Sequence, residues 1–283
     1  MERVLIGVDE EQASQVAVDW VIERAKTVPM TITLFTAFDM LVNDPVTDQG
    51  IVETTRARIR AAVPAADVHV EVAERSILEG LAERSADADL LVIGSHPHRR
   101  VRSVLTGALP SALVSRTVCA LVVVPDDWEP GSDTIVLGAS DDDSSDAASI
   151  WAAQEAVARG TDLVAVHAWR FPVPSMDATA ALLIDPDEID AIHRELIERV
   201  LERIGDAAPG VQVRTVLRHG DAAYELDDII DSAGLLVLGT RGHGPTLGTF
   251  LGSVVQHMLH HGRVPVCIVP NTFARQPALS NAR

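Results

Sequence analysis

Nowhere in these 283 residues does an apolar run approach the roughly 20 residues that a membrane-spanning helix needs, so no membrane span is expected. Cysteine is scarce. The two present, Cys119 and Cys267, sit in apolar stretches without C-x-x-C spacing and read as buried free thiols, in keeping with a reducing cytoplasmic setting. The opening MERVLIGVDEE has charges on both sides of a short apolar run and does not read as a signal peptide. There is no G-x-S-x-G elbow and no H-E-x-x-H motif, so hydrolase chemistry has no support in the sequence. Positive charge is also lacking: 23 basic against 41 acidic side chains leave a net charge of −18. Both parts contribute, with 12 basic and 20 acidic residues in 1–130 and 11 and 21 in the remainder. So acidic a body repels a polyphosphate backbone, which argues against nucleic acid and anionic membranes as partners. Any anion must bind through a local site, at a loop or a helix start.

What is present is enough apolar residue, 47%, to bury real cores, in a chain long enough for two domains. The sequence repeats itself. At an offset of 131, Ser14, Ala17, Trp20 and Ala25 recur as Ser145, Ala148, Trp151 and Ala156. At an offset of 145, the run Leu90 to Gly94 recurs as Leu235 to Gly239, Gly107 as Gly252 and Pro125 as Pro270. The 14-residue difference falls around Phe171 to Pro209 in the second copy. Four segments kept in order indicate a duplication, with a domain over 1–126, a linker, a domain over 133–271 and a tail over 272–283.

Each copy alternates strands with helical patterns. The strand candidates are 3–8, 31–37, 68–73, 89–94 and 118–124, then 134–139, 162–168, 211–217, 234–239 and 264–269. They are short and rich in Val, Ile and Leu with little polar alternation, as expected of strands covered on both faces. Leu251, Val254, Val255, Met258 and Leu259 make the clearest amphipathic stripe. The pattern predicts an α/β fold: two tandem, doubly wound, parallel five-stranded sheets with helices on both faces. Ligands of such sheets bind at the carboxyl ends of the strands, near the switch in strand order.

In the second copy the fourth strand ends in Gly239-Thr240-Arg241-Gly242, and Gly252-Ser253 follows at the head of the amphipathic stripe. Gly239 and Gly242 permit positive φ and close approach to a bulky anion. A helix opening at Gly252-Ser253 offers unpaired N–H groups and its dipole, and Ser253 offers a hydroxyl. Taken singly, Gly239 also reads as a turn residue and Ser253 as a plain N-cap.

The joint pattern G-x2-G-x9-G-[S/T] after L-L-V-L-G resembles the ATP-binding signature of the universal stress proteins. The final strand Val264 to Pro270 resembles that family too, as do the first-strand ends Ile6-Gly7-Val8-Asp9 and Val136 to Ser140. The resemblance implies the adenine nucleotide alpha hydrolase-like fold and a stress-response role. It assigns phosphates of ATP to Gly239, Gly242, Gly252, Ser253 and the Val254 amide, adenine to Ala168 beside His167, and the nucleoside to Ser140, where family members usually carry Asp. Asp141, Asp142 and Asp143 either help hold Mg²⁺ or cap the following helix.

In the first copy Asp9 is present, but Pro97 replaces the second glycine and Ala108 the hydroxyl residue, so that half is expected to have lost nucleotide. His96, His98, Arg99, Arg100 and Arg102 form either an anion site of another kind or a solvated loop. His257 and His261, four apart, are a weak metal pair with no third ligand in evidence. No residue has the features of a catalytic base, so at most very slow ATP hydrolysis is expected. The resemblance further implies that 118–124 and 264–269 pair antiparallel, making the two domains an intramolecular pseudo-dimer, with further homodimerisation open. A scaffold of the same family that binds no nucleotide is the alternative.

Overall fold

Residues 1–38, 45–96, 109–140, 142–170, 186–240 and 251–273 are described by the computed structural model analysed for this chain. Ten strands form: β1 Glu2–Gly7, β2 Met30–Phe38, β3 Asp67–Glu74, β4 Leu90–Ser95, β5 Ala120–Pro125, β6 Ile135–Gly138, β7 Leu163–Trp169, β8 Val213–His219, β9 Leu235–Gly239 and β10 Val266–Val269. Each lies within two residues of its predicted span. The helices are α1 Gln12–Ala25, α2 Pro45–Ala62, α3 Ile77–Arg84, α4 Leu109–Val114, α5 Asp143–Arg159, α6 Pro186–Ala207, α7 Ala222–Ile230 and α8 Ser253–His261.

The strands make one ten-stranded sheet in the order β3-β2-β1-β4-β5-β10-β9-β6-β7-β8. Within each half all neighbours are parallel. The chain leaves β1 toward β2 on one side and returns to β4 on the other, and does the same around β6, so each half has its switch point there. Where the halves meet, β5 and β10 run antiparallel, with Val266 opposite Val123, Cys267 opposite Val122 and Ile268 opposite Leu121. The two expected sheets therefore join edge to edge, through the strands the sequence proposed.

Two helical layers cover the sheet, and this is why the inner strands need no polar face. All six residues of β5 are buried. One layer packs Val18 and Trp20 of α1, Ile59 of α2, Trp151 of α5 and Val200 of α6 into a single core. The other packs Leu81 of α3, Leu113 of α4, Leu226 of α7 and Met258 of α8. The amphipathic stripe at 251–259 starts later than expected, for α8 opens at Ser253 and Leu251 precedes it. Helix α5 stops at Gly160, whose φ of 64° is left-handed and lets Thr161 N–H return to the Ala156 carbonyl at 3.0 Å.

Across the seam, α1 and α5 bring together groups that would be costly alone. The Arg24 guanidinium, 3% exposed, pairs with Glu155, also 3% exposed, and with Glu2 at 2.8 Å. Arg159 Nε donates to Glu155 at 2.6 Å. Both guanidinium groups lie over the Trp20 ring, 5.8 and 5.4 Å from its centroid. Arg24 and Glu155 are equivalent positions of the duplication, 131 residues apart. Burial by itself would push the Glu155 carboxyl up, but Arg24 and Arg159 hold it below the ordinary carboxylate range. Burial opposes the charge of Arg24, which Glu155 and Glu2 nevertheless raise above its ordinary value.

Removing one member of such a buried network leaves the rest short of a charge: without Glu155, Arg24 keeps Glu2 and Arg159 loses its carboxylate. Glu155→Ala is therefore expected to lower unfolding stability by about 3–5 kcal/mol in urea titrations, whereas replacing Arg24 and Glu155 together by leucines costs far less. The sign with pH follows from the depressed carboxyl. The stabilisation is full above about pH 4.3, the value of an unfolded Glu, and is lost as pH falls through the lower folded value. The acid-unfolding profile of Glu155→Gln should lack that component. Burial also pushes the Cys119 thiol up to about 12 and the Cys267 thiol well above its ordinary value. An aromatic disulfide reagent at pH 8 should find no thiol in the folded chain and two after denaturation.

Candidate functional site

The second switch point lies where β6 and β9 end and α5 begins. Asp142 caps α5: its Oδ1 accepts the Ser144 and Ser145 amides at 2.8 and 3.1 Å and the Ser144 hydroxyl at 2.5 Å. Its Oδ2 accepts the Ser140 hydroxyl at 2.6 Å. Of the two roles open to the acidic run, Asp142 takes the capping one; Asp141 lies outside the described residues. Ser140 N–H in turn donates to Ser145 Oγ at 3.0 Å, and the first half repeats this at Asp9 N–H and Ser14 Oγ, 2.9 Å. The two strand ends are thus built alike, with a carboxylate in one half and a hydroxyl in the other. Beside Ser140 and Asp142 a polar cavity of about 150 Å³ opens between α5 and α6, with Asp146, Arg199 and Arg203 on its walls.

Gly239 ends β9 with no positive φ; among the described residues only Gly160 and Gly210 have one. A different constraint selects glycine here. A Cβ at this position would lie 2.4 Å from Ser144 Oγ and 2.6 Å from the Ser144 backbone. The first half matches, for a Cβ on Gly94 would lie 2.1 Å from the Ala13 carbonyl oxygen. In both halves the glycine lets the first turn of a helix settle onto the strand end. Gly242, Pro97 and Ala108, on which the contrast between the halves turned, lie outside the described residues, as do His98, Arg99, Arg100 and Arg102.

Gly252 is the N-cap of α8, with extended backbone and no side-chain cap, and the Gln256 amide reaches its carbonyl at 3.0 Å. Ser253 is exposed and Val254 half-buried. Helix α8 ends just before β10 begins, and β10 is parallel to β9, so the uncapped start of α8 faces the carboxyl ends of both strands. Helices α5 and α7 differ: Asp142 and Asp221 cap them.

The end of β7 carries Ala168 between two ring-bearing neighbours. His167 is buried, and its Nδ1–H donates to the Ala139 carbonyl at 2.8 Å. That leaves Nε2 to accept from His193 Nδ1 at 2.9 Å. The His193 ring stacks on Trp169, centroids 4.4 Å apart at 17°, and His219 of β8 meets Trp169 edge-on at 4.8 Å. The sequence reading singled out His167 but missed His193, Trp169 and His219, which come together only because β7, β8 and α6 are neighbours.

His257 and His96, singled out in the sequence, each make contacts with carboxylates. His257 Nε2 lies 2.6 Å from Asp227 Oδ2, tying α8 to α7, and its ring stacks on His261 at 4.7 Å. Among the described residues no group of three potential ligands could hold a metal ion. His96, 5% exposed, sits 2.6 Å from Asp126 and 3.7 Å from Glu11, so it is held by carboxylates and not turned toward an anion.

Set against known proteins, the sequence profile of the universal stress protein family matches residues 1–125 and again 131–270. The universal stress protein Rv2623 of Mycobacterium tuberculosis is 26% identical over 288 residues, spanning 94% of this chain and 95% of that one. The universal stress protein Rv2005c of the same organism is 28% identical over 293 residues, spanning 94% and 96%. Among solved structures, a functionally unknown protein from Pseudomonas aeruginosa superposes with a TM-score of 0.70 at 15% identity, covering 97% of this chain and 95% of that one. A universal stress protein from Archaeoglobus fulgidus does so at 0.64 and 14%, covering 95% and 98%. These last two speak for the fold.

The steric role of the strand-end glycines has a direct check. Gly94→Ala and Gly239→Ala should each destabilise the chain by about 1–3 kcal/mol, the range for overpacking, read as a lowered urea midpoint. Gly205→Ala, where no atom lies within 4 Å of the added carbon, should cost nothing comparable.

Proposed function

This chain belongs to the universal stress protein family, and we propose that its C-terminal half binds one adenine nucleotide, ATP, while its N-terminal half binds none. The observation that carries the reading is the start of α8. Gly252 opens it without a side-chain cap, and its first amides face the carboxyl ends of β9 and β10. Unpaired amides and a positive helix end suit phosphate, and Ser253 adds an exposed hydroxyl. The family resemblance assigns Gly242, outside the described residues, to the same anion. The base then lies by Ala168 and the ribose by Ser140, with Mg²⁺ travelling on the phosphates.

Ser253→Ala removes a charge-assisted hydrogen bond of about 1.5–3 kcal/mol and should weaken ATP binding about ten- to a hundredfold. Calorimetry with ATP and Mg²⁺ is expected to give one site per chain, abolished by Gly242→Val. Two sites, or binding that survives Gly242→Val, would overturn the assignment of roles to the halves. Turnover is expected to be negligible, since the sequence offers no residue with the features of a catalytic base. Steady phosphate release on the order of 1 s⁻¹, near the lower end of common enzyme rates, would contradict this. One observation favours the scaffold reading: the Ser140 hydroxyl is already given to Asp142. On that reading calorimetry shows no heat of binding in any variant.

A further inference from the structure

The ten-stranded sheet ends in two edges, β3 and β8, and their charges are opposite. Strand β3 reads DVHVEVAE, with three carboxylates and no Lys or Arg. Strand β8 reads VRTVLRH, with two arginines and no carboxylate, on a chain of net charge −18. Edge strands expose unpaired backbone groups and invite another strand. We infer that β8 of one copy docks antiparallel beside β3 of a second copy, extending the sheet from molecule to molecule.

Direction, facing and spacing all agree. Because β5 and β10 are antiparallel while each half is internally parallel, β8 runs opposite to β3, so a second copy in the same orientation presents an antiparallel partner. Val68, Val70, Val72 and Val213 face one helical layer, and Ala73 and Val216 the other. By alternation Asp67 and Glu71 share the face of Ala73, and Arg214 and Arg218 that of Val216. Both charged pairs are spaced by four residues. A register that sets Asp67 opposite Arg218 therefore sets Glu71 opposite Arg214 on one face, and Val68 opposite Leu217 and Val72 opposite Val213 on the other. Sliding by two residues either way breaks both charge pairs.

The side chains are accessible: Asp67 is 58% exposed, Arg218 52% and Leu217 38%. Their present ties are exposed ones, Asp67 to His69 at 3.0 Å, Glu71 to Arg84 at 2.7 Å and Arg218 to Glu225 at 3.9 Å, and exchanging such pairs costs little. Arg60 Nη2 also holds the Val68 carbonyl, at 3.3 Å. Arg214 has no ion pair among the described residues. Pairing β8 with β8 would gather the arginines of both copies at one seam, and β3 with β3 the carboxylates, so the charges disfavour a symmetric dimer and favour the head-to-tail contact. Such a contact is heterologous and does not close, giving short ribbons. Each chain carries a large net negative charge, but beyond a Debye length of about 8 Å at physiological salt that repulsion is screened, while direct contacts persist.

Sedimentation velocity from about 10 µM to 1 mM, a range matched to weak association, tests this at 0.15 M salt. The wild-type chain should gain mass steadily with concentration. Arg214→Glu with Arg218→Glu should remain single, as should Asp67→Arg with Glu71→Arg. Mixing the two variants should restore association, since each reversed edge then meets a complementary one. The double variant Arg116→Glu with Arg194→Glu carries the same change in net charge and should behave as wild type, and circular dichroism checks that all remain folded. A wild-type chain that stays single throughout, a reversed variant that still associates, or a mixture that does not recover would each overturn the proposal.

Discussion

A buried ion pair holds the two halves of this molecule to one another, and much else follows from it. Arg24 and Glu155 meet beneath the seam between β5 and β10, with Glu2, Arg159 and Trp20 around them. The strand contact itself is short, only three residue pairs of ladder. Helices α1 and α5, which carry the pair, meet there with their charges cancelled, and both halves share an apolar core on that side of the sheet. Desolvating two ions gives little net stability, but it is unforgiving of misplacement, so it fixes one arrangement among many that apolar contact alone would tolerate.

The inner strands were legible because they are buried on both faces, which leaves short uninterrupted apolar runs, whereas the edge strands β3 and β8 mix apolar with charged residues. The duplication was legible because helix α1 and its copy α5 keep the same small residues under Trp20 and Trp151. The His167–His193–Trp169 cluster was not legible. His193 belongs to α6, inside the stretch where the second copy is longer, so no counterpart in the first copy draws attention to it. Capping by Asp142 could be anticipated as an alternative but not decided, because three consecutive carboxylates compete for one helix start. For Gly239 the positive φ is absent, and a helix of the chain itself makes the close approach, which no local pattern announces.

That reassignment changes how the two halves compare. Gly94 and Gly239 meet the same packing constraint, so their presence does not by itself distinguish the halves. The proposed distinction between the halves rests instead on groups that serve no evident packing purpose, Ser253 at a helix start without a side-chain cap above all. A helix capped by an aspartate, such as α5 or α7, has already supplied its own anion. At the start of α8 no described side chain does so.

The equivalence of Arg24 and Glu155 also bears on ancestry. Had the two halves stayed identical at this position, two like charges would face each other across the seam, and a neutral residue would have been the tolerable choice. Once one copy became basic and the other acidic, each lost the ability to mate with its own kind and gained a preference for its sibling. The step is hard to retrace, because reverting either residue alone leaves an unmatched ion in the interior. Fusion in one chain supplies the basic and the acidic member in equal number and always side by side.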